Sequence, residues 1–281
     1  YIRAKQNPIK PVVVKEGACQ EVVYTGKDVD LFRLPAPMIH GGDGGRYAAT
    51  WHALINQDPD TGWVNWGMYR AMIVDHNKLA GLLIPYQHGP LIYYQKYEAR
   101  GKPMPLAIAI GGDPVVAFVA SSYLPIGVNE ADVAGGIRGE PVELVKCVTN
   151  DLYVPATAEV VIEAVAYPGE RAEEGPFGEF TGYRTTERGS RPLYRVTAIT
   201  HRKDPIFTLS CMGMPCDEYA ALVSVTLTGE YLQILRDNGI PVRDVSVHPW
   251  GNTFSVIVST KVPYALSLIH ISEPTRPRLI S

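Results

Sequence analysis

The sequence is short of the features that would assign it at once. Its four cysteines, Cys19, Cys147, Cys211 and Cys216, form no disulfide framework, and Cys211-x4-Cys216 has no second pair at zinc-like spacing. Reduced thiols and a cytoplasmic setting are therefore expected. No apolar run approaches the length of a membrane span. Lys and Arg total 26 against 29 Asp and Glu, a net charge of -3 at pH 7, which leaves no basic stripe of the kind nucleic acid requires. Membrane and nucleic acid are thus not expected partners. There is no internal repeat, no P-loop and no dinucleotide fingerprint. Neither a starting methionine nor a signal-peptide pattern precedes Tyr1, so the chain reads as an internal piece of something longer.

What is present is a body of short strands. Between about 47 and 210 the clearest are Trp51 to Ile55, Val64 to Arg70, Leu106 to Ile110, Val115 to Val119, Glu159 to Glu163 and Tyr194 to Ile199. Gly, Pro, Asn or Asp separates them, which predicts a closed or partly split antiparallel barrel. A helical insertion is expected at Gly89 to Lys102, where Leu91, Tyr94 and Tyr97 recur at helical spacing. Asp217 to Asn238 is the strongest helix signal, with Leu222, Val225, Leu232 and Leu235 apolar and Gly239 placed to end it. Alternation returns at 241–260, so a second, α/β domain is expected to open near 217. The tail from Leu268 to Ser281 keeps neither period and resembles translated sequencing-adapter DNA, so it is set aside from fold reasoning.

The chemistry-bearing groups are few. In Glu174-Gly175-Pro176-Phe177-Gly178-Glu179 two carboxylates five positions apart flank helix- and strand-breaking residues, so this is a shaped loop. It reads either as an acidic surface turn or as a pair whose environments divide acid and base roles. The cluster Gly41-Gly42-Asp43-Gly44-Gly45 makes a tight turn or lets backbone approach a ligand closely, without phosphate-binding spacing. Asn65, His88 and Glu130 form a sensible oxygen and nitrogen ligand set for a divalent ion, though each has an ordinary structural reading. Arg70 can pair bidentately with a carboxylate, a substrate's or that of Glu174, or make an exposed ion pair worth little.

Taken in order, Asp43-Gly44-Gly45-Arg46-Tyr47, Asn65-x4-Arg70, Gln87-His88, Ile110-Gly111-Gly112-Asp113-Pro114, Ala120-Ser121 with Glu130, Val154-Pro155-Ala156 and the 174–179 loop resemble the UbiD family of decarboxylases over roughly residues 10–265. A one-residue deletion lies between Ala120 and Glu130. The resemblance implies an α+β fold, with an FMN-binding split β-barrel core followed by the start of a truncated C-terminal α/β domain. The implied boundaries are 1–40 for a lead-in from a mostly absent N-terminal domain, 41–216 for the prenylated-FMN domain, 217–266 for the C-terminal start and 267–281 for a non-native tail.

The resemblance also implies prenylated FMN, Mn2+ (or Mg2+) and K+ as cofactors. Asn65, His88 and Glu130 would ligate Mn2+, with oxygens near Trp66, Ala120, Ser121 and Tyr123 completing a K+ site. Trp66, Gly67, Met68, Tyr69, Arg70 and Gln87 would line the flavin. Many relatives carry a Ser-Ile-Ala type sequence where this chain has Gly67-Met68-Tyr69. Arg70, Glu174 and Glu179 match a Glu-Arg-Glu catalytic network with Glu179 as proton donor, in a reversible, non-oxidative decarboxylation of an unsaturated, aromatic or heteroaromatic acid. Tyr69, Tyr123, Met212 and Met214 would add an apolar wall. A flavin prenyltransferase would supply the cofactor, and the full-length protein would be a homo-oligomer. Two other readings stand beside this one, a flavin-dependent oxidoreductase on a split barrel and an inactive fragment of a decarboxylase.

Overall fold

The structure, a computed structural model, describes residues 1–185, 187–213, 216–251 and 253–260. Met214 and the tail set aside above lie outside the described residues. Fourteen strands are found there: β1 (Val12–Val13), β2 (Val22–Thr25), β3 (Tyr47–Ala49), β4 (His52–Gln57), β5 (Val64–Gly67), β6 (Ala71–Asp75), β7 (Lys78–Gly81), β8 (Met104–Ile110), β9 (Glu143–Lys146), β10 (Tyr153–Pro155), β11 (Val160–Glu174), β12 (Gly189–His201), β13 (Val242–His248) and β14 (Ser255–Thr260). Five α-helices accompany them: α1 (Ile2–Gln6), α2 (His88–Leu91), α3 (Pro114–Ala120), α4 (Glu130–Arg138) and α5 (Glu218–Asp237).

Nine strands make one curled antiparallel sheet in the order β3-β6-β7-β12-β11-β8-β4-β5, with β2 added on β12. Its middle strand β8 shows why it holds together. Met104, Leu106, Ile108 and Ile110 point to one face and join the core inside the curl. Ala107 and Ala109 point to the other and meet a second core. That outer face is covered by α3, α4 and the small sheet β1-β9-β10. Both faces being covered explains a continuous apolar run instead of in-out alternation. Alanines outside let the helices lie close, and truncating one of the inner isoleucines would cost about 2–5 kcal/mol.

Two expectations about strands fail here. Val115 to Val119 is not a strand but the body of α3. Asp113 caps that helix by accepting a hydrogen bond from Val115 N–H, and Pro114 takes the first turn. The β-branched valines suggested a strand, but capping and burial against the sheet override that weak preference. Val64 to Arg70 is likewise not one strand. β5 stops at Gly67 and β6 begins at Ala71, so Met68, Tyr69 and Arg70 cross the open side of the sheet from its end strand to β6.

The expected insertion begins one residue early, at His88, and runs through α2, a π-helical stretch Ile92–Tyr97 and a 3-10 turn Glu98–Arg100. Gly101 ends it with φ +65. Helix α5 fills the expected span, capped by Asp217, which accepts from Ala220 N–H. Its buried face, however, is Ala220, Val223, Thr226 and Gly229, whereas Val225 is exposed. Small residues allow close packing, and a Cβ on Gly229 would meet the Tyr1 ring at 2.8 Å. The strands β13 and β14 pair as an antiparallel hairpin, and Val245 and Val247 of β13 are buried.

Candidate active site

Strand β5, the 68–70 crossing and the starts or ends of α2, α3 and α4 converge on a cavity of about 220 Å3. Asn65, Trp66, Gly67, Met68, Tyr69, Gln87, His88, Ala120, Ser121, Tyr123 and Glu130 all line it. These are the expected cofactor residues apart from Arg70. Arg70 lines an adjoining cavity of about 130 Å3 with Glu179, Phe177, Phe180 and Met212. Met68, Tyr69, Gln87 and Tyr219 belong to both walls, so the two chambers are neighbours.

In the larger chamber Glu130 opens α4 and is only 2% exposed. Its Oε2 accepts from Trp66 N–H at 3.0 Å, and it makes no ion pair among the described residues. Burial pushes its pKa up to about 8. Burial also lowers the pKa of His88, keeping its imidazole neutral and able to ligate, with its ring edge-on to Trp63. Asn65 is oriented by donating from Nδ2 to Asn56 Oδ1 at 3.0 Å, which leaves its carbonyl oxygen as a donor atom. Asn56 in turn donates to Gly89 O at 3.2 Å. A desolvated carboxyl without a counter-ion, a neutral imidazole and an oriented amide oxygen fit a divalent cation. Ala120 and Ser121 lie at the carbonyl-rich end of α3, and the Ser121 and Ser122 hydroxyls donate to Phe118 O, so lone pairs remain for a monovalent cation.

Tyr69 is packed inward at the crossing. A Cβ on Gly67 would lie 2.3 Å from its ring, and one on Gly89 2.7 Å, so both glycines are required for the ring to fit. Its hydroxyl accepts from Gly89 N–H at 3.0 Å. Anchoring Tyr69 inward leaves Met68 and Arg70 to face the chambers.

In the smaller chamber Arg70 grips Glu174 with two nitrogens, Nε to Oε1 at 2.9 Å and Nη2 to Oε2 at 3.1 Å, and its Nη1 contacts Glu179 Oε1. Tyr47 OH donates to Glu174 Oε1 at 2.7 Å, and the Phe177 ring lies under the guanidinium at 4.8 Å. Burial, then Glu174, drives the Tyr47 hydroxyl pKa well up, so it stays a donor. The surface-turn reading thus fails for Glu174, which is 2% exposed, while the Glu179 side chain keeps 24%. Arg70 spans both acids instead of serving Glu174 alone.

The glycine cluster turns out to be the seat of this loop. Asp43 Oδ1 accepts from Gly178 N–H at 2.9 Å, Gly44 N–H donates to Pro176 O at 2.7 Å, and a Cβ on Gly44 would sit 1.8 Å from Gly175 O. Close backbone approach is what the glycines serve, and the partner is the acid loop itself. A turn from Glu179 to Tyr183, closed by Glu179 N–H to Tyr183 O at 2.9 Å, completes it.

Residues that sequence reasoning passed over are Asn56, His52, Tyr219 and Phe180. None has a local signal, because each acts through a partner distant in the chain. Tyr47 and Phe177 stood in the quoted motifs without a role.

Residues 10–215 match the UbiD family, described as the 3-octaprenyl-4-hydroxybenzoate carboxy-lyase Rift-related domain. A pyrrole-2-carboxylic acid decarboxylase from Pseudomonas aeruginosa is 40% identical over 238 residues, covering 85% of this chain and 48% of the relative. The chain therefore spans about half the length of the curated relative it matches. An evolved dimeric form of the UbiD-class enzyme HmfF from Pelotomaculum thermopropionicum, in complex with prFMN, superposes with TM-score 0.87 at 33% identity, covering 94% of this chain and 61% of that one. The vanillic acid decarboxylase of Sedimentibacter hydroxybenzoicus gives TM-score 0.83 at 33% identity, covering 93% and 55%.

Proposed function

The chain belongs to the UbiD family, and on that premise we propose that it is the flavin-binding part of a reversible, non-oxidative decarboxylase of an unsaturated, aromatic or heteroaromatic acid. Residues 41–216 form the prenylated-FMN domain, and 217–266 begin the C-terminal one. The observation that carries the reading is Arg70 held between Glu174 and Glu179 on the wall next to the cofactor chamber. Bound in that chamber, prenylated FMN supplies the electron sink that no side chain offers when CO2 leaves an unsaturated carbon.

Asn65, His88 and Glu130 hold Mn2+ there, and oxygens at Trp66, Ala120, Ser121 and Tyr123 hold K+. Arg70 is fixed by Glu174 and Tyr47, so its orientation is set before substrate arrives, and it directs the substrate carboxylate. Phe177, Phe180 and Met212 give that chamber the apolar wall an aromatic acid needs. Glu179 delivers the proton that replaces CO2. With Oε1 against Arg70, its Oε2 is the atom that carries it, and partial exposure lets solvent restore it. The relatives' names, for a pyrrole and a vanillic acid, support an aromatic or heteroaromatic substrate. A flavin prenyltransferase is the cofactor source, the full-length protein is a homo-oligomer, and the setting is cytoplasmic. Among the described residues no helix is long and apolar enough to cross a membrane.

The test is CO2 release from pyrrole-2-carboxylate and vanillate by the full chain co-expressed with a flavin prenyltransferase. Glu179→Gln should lose at least about a hundredfold in rate while keeping its flavin, and an unchanged rate removes the proton-donor role. His88→Ala should lose bound Mn2+; full metal occupancy in that variant would overturn the ligand assignment.

A further inference from the structure

The 68–70 crossing carries Arg70 but lies outside every strand. The ladder between β4 and β5 ends with Leu54 opposite Gly67. Two residues further it would place His52 opposite Tyr69, but β5 stops at Gly67 and the chain leaves the ladder there. The imidazole takes over instead. Its Nε2 lies 3.0 Å from Tyr69 O and 3.3 Å from Tyr69 N, so either neutral tautomer binds the Tyr69 peptide, accepting from its N–H or donating to its carbonyl. The ring is 1% exposed, and among the described residues its Nδ1 has no hydrogen-bond partner, so its hydrogen bonding is with Tyr69, on the wall of the smaller chamber. Burial lowers its pKa to about 4, which keeps it neutral at physiological pH.

We propose that His52 is a positioning residue for Arg70: its side chain replaces the missing strand partner at the split of the sheet and fixes the peptide from which the guanidinium reaches Glu174, Glu179 and the substrate carboxylate. The inference rests on the role given to Arg70 above. An uncovered Tyr69 peptide would let the crossing shift, and a displacement of about 1 Å at a charged clamp is enough to lose much of its effect.

The test compares His52→Phe, which fills the space without a hydrogen bond, with His52→Gln, which restores polar atoms, in the full chain loaded with cofactor. The readout is the dissociation constant of pyrrole-2-carboxylate by equilibrium dialysis, alongside KM, kcat and flavin content. His52→Phe is expected to weaken binding about tenfold, with flavin content unchanged, and His52→Gln to recover most of the loss. In an Arg70→Ala background His52→Phe should add nothing, since both changes remove the same clamp. Additive losses, or unchanged binding in His52→Phe, overturn the positioning role while leaving the proposed function standing. If Arg70→Ala itself binds as wild type, both the function reading and this inference fall.

Discussion

Glu130 and Glu174 are equally buried, each 2% exposed, yet their surroundings are opposite. Glu174 accepts from two guanidinium nitrogens and a tyrosine hydroxyl, so its negative charge is matched inside the protein. Glu130 accepts one backbone N–H and has no cation beside it among the described residues, so burial pushes its pKa up to about 8. Burial alone therefore does not distinguish a clamp from a ligand; the presence of a permanent counter-ion does. The paired acid organises Arg70. The unpaired one, in the metal-binding role proposed above, would trade its proton for the cation.

The largest effect should come from breaking the paired side. Glu174→Ala leaves Arg70 half-matched and buried, and is expected to cost about 3–5 kcal/mol in denaturant unfolding and nearly all decarboxylation. The unpaired side should appear as a pH dependence of the metal-free chain. Folded Glu130 keeps its proton up to about 8, whereas in the unfolded chain it releases it near the ordinary 4.5. Its contribution to stability is thus complete below 4.5 and is lost as pH rises through 8, a few kcal/mol in all. Glu130→Gln should flatten that fall in the denaturation midpoint and weaken Mn2+ binding at least about tenfold in titration calorimetry.

A third change separates the chambers. Gly44→Ala should push the acid loop off its seat, costing about 3 kcal/mol and most of the activity, with Mn2+ affinity unaltered. Equal damage to metal binding would mean that the two acids do not act independently. The smallest effect belongs to Tyr47→Phe, which removes one hydrogen bond to Glu174 and should cost about 1.5 kcal/mol by unfolding and less than tenfold in kcat.

Much of this was readable along the chain. The strands now seen as β4, β8, β11 and β12 announced themselves by β-branched and apolar runs between turn residues, and the span of α5 by its recurring apolar residues and its terminal Gly239. Arg70, Glu174 and Glu179 stood out as chemically able groups and lie together. What was misread was decided by context. The valines of α3 favour strands locally but are held helical by Asp113 and by packing on the sheet. The break between β5 and β6 follows from the sheet being split there, and no residue of Met68-Tyr69-Arg70 signals it.

By itself the sequence determined local things, because turns and side-chain alternation act over a few residues: the strands β4, β8, β11 and β12, the span of α5, and which acids and bases exist to be used. Only the tertiary structure decided their meaning. Glu174 finds Tyr47 across 127 positions and Arg70 across 104, the glycines after His40 meet the loop after Glu174, and His52 stands in for a strand that the split leaves out. Charge matching and desolvation depend on distance and burial in space, and neither is written in the spacing of residues along the chain.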